Sequence, residues 1–208
     1  IGVGYPTDHH DVSEPCLLRK RLFEHYLNQI NASKGRFMTD TNSTAAPFHP
    51  NHRTRVFALI AFMVLCLIIS AAGGAVTSTS VGTWYPTLEK PFFNPPNWLF
   101  GPAWSLIYFL IAFSGWRAWL KRGIDGAKVP FAIYGAQLTL NLLWSFLFFG
   151  AQSPMLGLID IIALLILIII NCRMFWRIDQ LAGMLLVPYA LWVGFATLLN
   201  GSIYFLNP

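Results

Sequence analysis

Charge is scarce in this chain. Of its 208 residues, 55% are apolar and only 11% are Asp, Glu, Lys or Arg, against roughly a quarter in a soluble domain. The scarcity is local. Residues 1–55 hold seven of the fourteen Lys/Arg, five of the nine Asp/Glu and all five histidines, leaving eleven charges for residues 56–208. The chain therefore divides into a polar tail, 1–55, and an apolar membrane domain, 56–208. Cysteine is scarce as well. Cys16, Cys66 and Cys172 make no disulfide framework, and no CxxC or Cys/His cluster points to a metal. Cys66 and Cys172 lie in or beside apolar runs and read as plain buried thiols. With no histidine after His52, the apolar domain has no Ser/His/Asp set, and it has no glycine-rich phosphate loop. Chemistry there is limited to what a ligand brings, such as photo-oxidation beside tryptophan. A net charge of +5 raises nucleic acid as a partner, but the bases flank apolar runs, so membrane orientation explains them better and no nucleic-acid partner is expected.

Long apolar runs, by contrast, are plentiful. A membrane-crossing helix needs roughly 20 apolar residues, and five windows qualify: Val56 to Ser78, Pro102 to Leu120, Val129 to Gly150, Met155 to Trp176 and Leu181 to Phe205. The expectation is an all-α membrane protein, a five-helix bundle. A basic stretch before the first run, followed by "SAAGGA", also has the outline of a cleaved signal peptide, but the run is long and the rest of the chain is itself membrane. In the tail, "LLRKRLFEHYLNQI" at 17–30 repeats Leu18, Leu22, Tyr26 and Ile30 at helical spacing, either a surface anchor or part of a disordered leader. Met38 reads as the physiological start, with 1–37 an upstream extension. The Asn-x-Ser/Thr matches at Asn31 and Asn42 are weak signals.

Lys/Arg placement sets the expected orientation. Arg53, Arg55, Arg117, Lys121, Arg122, Lys128, Arg173 and Arg177 fall on one side of the five windows, and Lys90 alone falls on the other. The positive-inside rule then puts the N-terminus in the cytoplasm and the C-terminus outside. The outer side carries "WYPTLEKPFFNPPNWLFGPAW", residues 84–104. Its five prolines, Pro86, Pro91, Pro95, Pro96 and Pro102, argue against helix throughout. The 79–101 stretch joining spans one and two reads as a proline-stiffened lid of low ordering entropy, or, more blandly, as an interfacial aromatic belt.

Polar side chains within the runs raise a second choice. Gln137 and Asn141 share a helical face with Tyr134, Trp144 and Phe148; Tyr189, Trp192, Ala196 and Asn200 share another, and Trp104 and Tyr108 a third. An amide in a bilayer either bonds a neighbouring helix or points into a cavity. Three such faces under an aromatic lid favour a pocket for a flat hydrophobic ligand with a few polar atoms. Asp160 is the one acid well inside a run; it caps or bonds a neighbour, or it does ligand or proton work. Ser70, Gly74 and Ser78 recur every four residues, a stripe for close packing of another helix, internal or between subunits.

The pieces "WYPTLEKPFFNPPNWLFGPAWSLIY" at 84–108, "YGAQLTLNLLWSFLFF" at 134–149, "LIDIIALL" at 158–165 and "PYALWVGFATLLN" at 188–200 together resemble the TspO/MBR family, the tryptophan-rich sensory or translocator proteins. The resemblance runs from about Val56 to the C-terminus. It implies a five-helix bundle with a pocket below the first loop, binding porphyrins such as protoporphyrin IX, with no required cofactor. Carried over by motif, the pocket would use Trp84 and Tyr85, Pro95, Pro96 and Trp98 of the lid, Trp104, Tyr108, Asn141, and Trp192, Ala196 and Leu199. It also implies membrane lipid as a partner, a homodimer, and light-dependent porphyrin breakdown as an alternative activity; a regulatory interaction protein is a third reading. Mitochondrial members follow the "ATLLN" segment with Tyr and Arg, a cholesterol-recognition pattern. Here "ATLLNGSIYFLNP" offers Tyr204 no basic partner, so a bacterial-type porphyrin sensor or transporter in a plasma membrane fits better than steroid transport.

Overall fold

Hydrocarbon offers backbone N–H and C=O groups no partners, so long apolar runs must satisfy them internally as helices. The computed structural model describes residues 1–4, 21–29 and 48–208, and the chain divides into two units, Ile1–Pro47 and Phe48–Pro208. In the first unit, residues 21–29 form a short helix whose Leu22, Phe23, Tyr26 and Leu27 are exposed. The rest of the 17–30 segment, Cys16, Met38, Asn31 and Asn42 lie outside the described residues. In the second unit the five runs form five helices long and apolar enough to cross a membrane: α1 His52–Val81, α2 Asn97–Arg122, α3 Asp125–Gly150, α4 Pro154–Ile178 and α5 Gln180–Leu206. The protein is an all-α, multi-pass membrane bundle.

Polar caps fix the starts of three of these helices, α1, α4 and α5. The Asn51 carboxamide accepts from Thr54 N at 2.8 Å and opens α1. Ser153 caps α4, with Pro154 in the first turn where its missing N–H is harmless. Asp179 caps α5 through Ala182 N at 2.9 Å. The α2–α3 turn needs a left-handed residue and uses Gly123, at φ 64°. The helix directions alternate, so all the bases of this unit except Lys90 gather at one end, where the Trp116 indole donates to the Arg55 carbonyl at 2.9 Å. The loop between α1 and α2 lies at the opposite end.

Two expectations change here. Helix α2 begins at Asn97, not after the proline-rich segment, so 97–104 is helical with Pro102 inside it. Pro95 and Pro96 supply the stop, since Pro96 is extended at ψ 141°, and Pro86 sits in a single 3₁₀ turn, Tyr85–Thr87. Helix also runs through Thr79 to Val81, which shortens the loop from the other side. The second change is in α3, whose last turn, Phe146–Gly150, widens to a π-turn, closed by Ala151 N on the Phe146 carbonyl at 2.7 Å. The extra residue turns both Phe148 and Phe149 inward.

Packing at the basic half rests on aromatic rings. Tyr134 stacks on Phe175 with centroids 5.7 Å apart, and the Ser114 hydroxyl donates to the Ala182 carbonyl at 2.7 Å. Helices α4 and α5 meet closely at Gly183, where an added Cβ would lie 2.8 Å from the Trp176 backbone. We expect Gly183→Val to destabilise the bundle by about 1–3 kcal/mol through overpacking. Gly135→Ala, with open space at its Cβ, should stabilise by about 0.5–1 kcal/mol. Thermal unfolding of both variants in detergent measures the contrast.

Candidate ligand cavity

Near the loop end, α1, α2, α3 and α5 enclose a cavity of about 390 Å³. Its depth is fixed by Asn141, which is 3% exposed. Tyr108 of α2 donates its hydroxyl to the Asn141 carboxamide oxygen, and the Asn141 NH₂ donates to the Tyr189 hydroxyl of α5 at 3.0 Å. Trp104 extends the aromatic wall above this bridge, its ring tilted against Tyr108 with centroids 5.6 Å apart. On α3, Trp144 stacks on Phe148 at 5.2 Å and donates its indole N–H to Asn200 Oδ1 at 3.2 Å. The Asn200 NH₂ donates in turn to the Pro154 carbonyl at 2.8 Å. Ala196, Leu199 and Ile203 give α5 a smooth apolar strip along the cavity.

The loop closes the top. Tyr85 is 4% exposed and donates its hydroxyl to Asn94 Oδ1 at 2.8 Å. Burial pushes its phenol up to about 12. Lys90 Nζ donates to the Leu88 carbonyl at 2.8 Å and lies 5.0 Å from the Tyr85 ring centre. Asn207, at the end of α5, clasps the loop backbone twice: Glu89 N donates to its Oδ1 at 2.9 Å, and its NH₂ donates to the Glu89 carbonyl at 3.0 Å.

One flank stays open. Ser70, Gly74 and Ser78 of α1 and Asn97, Gly101 and Ser105 of α2 line the cavity, and all but Ser70 are exposed. A Cβ on Gly74 or Gly101 would meet nothing within 4 Å. The small stripe of α1 thus borders a cavity mouth, and the internal close packing falls one residue earlier, where Gly73 would meet Ser145 Oγ at 3.1 Å.

Of the residues singled out in the sequence, Tyr85, Trp104, Tyr108, Asn141, Ala196 and Leu199 lie together on the cavity wall. Trp84 packs edge-on against Phe148 from outside the lining, at 5.6 Å, and Trp192 sits behind Trp104 at 6.5 Å. Pro95 and Pro96 form the lead into α2, and Trp98, 72% exposed, is not part of the wall. Gln137 lies deeper and reaches Asn171 at 3.4 Å. Asp160 does not cap α4, a task Ser153 performs, and it bonds no neighbour among the described residues; it is 6% exposed, and its Oδ2 has no partner among them. Asn97, Gly101 and Ser105 are spaced four apart, but the prolines around them mask that helical period until the helix is seen to start at Asn97. Phe149 was hidden by the π-turn, and nothing local marked Asn207. No group of three His, Cys, Asp or Glu placed to hold a metal occurs among the described residues.

Five membrane helices around an aromatic cavity, roofed by a proline-rich loop, define a class of polytopic membrane proteins. The chain belongs to the TspO/MBR family, whose model matches residues 62–206. It is 47% identical over 152 residues to the tryptophan-rich protein TspO of Archaeoglobus fulgidus, covering 73% of this chain and 98% of that protein. It is 40% identical over 158 residues to the tryptophan-rich protein TspO of Chlorobaculum tepidum, covering 74% and 98%. With the human translocator protein it shares 32% over 123 residues, 58% of this chain and 73% of that protein.

Asn207→Ala should release the loop, lowering amide protection of residues 84–94 about tenfold for two lost hydrogen bonds, as read by hydrogen exchange. Tyr85 supplies a pH test. Its folded pKa lies above the ordinary 10, so its contribution is full below about pH 10 and is lost as pH rises toward 12. Loop protection, corrected for intrinsic exchange, should hold to pH 10 and fall between 10 and 12, and Tyr85→Phe should remove that step.

Proposed function

We propose that the protein is a receptor, sensor or transporter for flat, hydrophobic tetrapyrroles such as protoporphyrin IX, acting in tetrapyrrole or stress responses. The observation that carries this reading is the cavity itself: aromatic rings from α2 and α3, an aliphatic strip from α5 and Tyr85 above, with Tyr108 and Asn141 at its base. Aromatic faces stack on a macrocycle, and a few placed polar groups serve its edge. A ligand wider than the enclosed part can lie with one edge in the open flank between α1 and α2. The orientation that goes with this reading has the basic end in the cytoplasm of a bacterial-type plasma membrane, with the loop outside.

Titration of the detergent-solubilised protein with protoporphyrin IX, followed by tryptophan fluorescence, tests it. Trp104→Ala removes a wall and should weaken binding about three- to tenfold, on the usual worth of an aromatic pair. Trp98→Ala, at an exposed ring, should leave affinity unchanged. Equal loss in both variants, or no saturable quenching in the parent protein, rules the assignment out.

A further inference from the structure

At the basic end, away from the cavity, α4 and α5 form a groove of about 260 Å³ lined by Cys172, Arg173, Trp176, Arg177, Gly183 and Val187. It exists because Gly183 lets the α5 backbone approach Trp176, and because α5 breaks at Leu186, between Gln180–Leu185 and Val187–Leu206. Arg173 and Arg177 are four residues apart, so both reach the groove from one face of α4, roughly 6 Å apart along the axis. Both are exposed, and neither joins an ion pair among the described residues. The nearby acid does not neutralise them: Asp179 accepts from Arg117 Nη2 at 2.8 Å and from Ala182 N at 2.9 Å.

We infer that this groove holds the head group of an anionic phospholipid. Two unpaired guanidinium groups on one face provide forked donors that match a phosphate. Trp176, 46% exposed, places an indole at the depth where lipid glycerol and phosphate meet hydrocarbon. Toward the bilayer centre the same faces turn apolar and exposed. Ile169 and Ile166 continue the Arg173 face of α4, and Leu191 lies one turn beyond Val187 on α5. Basic head-group contact followed by apolar chain contact is the pattern of a bound lipid, whereas a soluble anion uses only the first part. A lipid with a choline group offsets its own phosphate and gains little from the arginine pair.

Native mass spectrometry of the full chain with equimolar phosphatidylglycerol and phosphatidylcholine tests the assignment. The parent protein should retain phosphatidylglycerol in preference. Arg173→Gln/Arg177→Gln should lower its retention about tenfold, as two interfacial bases imply, with phosphatidylcholine unchanged. Arg122→Gln/Lys128→Gln, which removes the same charge from the same end outside the groove, should keep the preference. Survival of the preference in the first double variant overturns the proposal. Equal loss in the second means diffuse charge and overturns it as well. Displacement of the lipid by inorganic phosphate would mark a soluble-anion site and likewise refute it.

Discussion

A carboxamide in the middle of a bilayer has no water to turn to, and Asn141 meets that constraint by joining three helices at once. It accepts from Tyr108 on α2 and donates to Tyr189 on α5. Interhelical hydrogen bonds of this kind contribute about 0.6–2 kcal/mol each, modest against the whole bundle. Their geometric effect is larger. They hold α2, α3 and α5 in register at one depth, and with that depth fixed the helices above can stand apart without the bundle sliding shut. The cavity is space that Asn141 and its two tyrosines keep from collapsing.

The same polar economy runs through the loop half. Asn200 is satisfied by Trp144 and the Pro154 carbonyl, and Ser80 donates to the Phe149 carbonyl at 2.8 Å. Polar atoms are spent fastening helix ends and wall residues, leaving ring faces and short side chains along the cavity. The basic half differs: Tyr134, Phe175 and Phe131 fill it with interlocked rings, so the bundle is solid at one end and hollow at the other.

The five helices were legible in the sequence because lipid leaves an apolar run of that length few alternatives, and the helix-sharing faces were legible because spacing of three and four residues is preserved wherever the helix is regular. Legibility failed where regularity failed. The π-turn at Phe146–Gly150 shifts the face after Trp144, which no periodicity count anticipates. Pro102 argued for loop although it lies inside α2, because a proline's penalty depends on whether its neighbours can tolerate the missing donor. Gln137 and Asn141 looked equivalent, four residues apart, yet one turn of depth puts Gln137 with Asn171 and Asn141 at the cavity. The glycine and serine stripe of α1 signalled that something comes close, and composition could not tell a helix from an opening. Tertiary pairings over long sequence distances, such as Glu89 with Asn207, leave no local mark at all.

That last pairing has a bearing on how the protein is made. The roof belongs to the connection after α1, but its clasp is carried by Asn207, just past α5 and 118 positions later than Glu89. Synthesis runs from the N-terminus, so the roof emerges early and waits, unfastened, until the fifth helix has been threaded. The roof is therefore fastened only after the fifth helix exists, and a chain lacking Asn207 would keep all five helices and lose the latch.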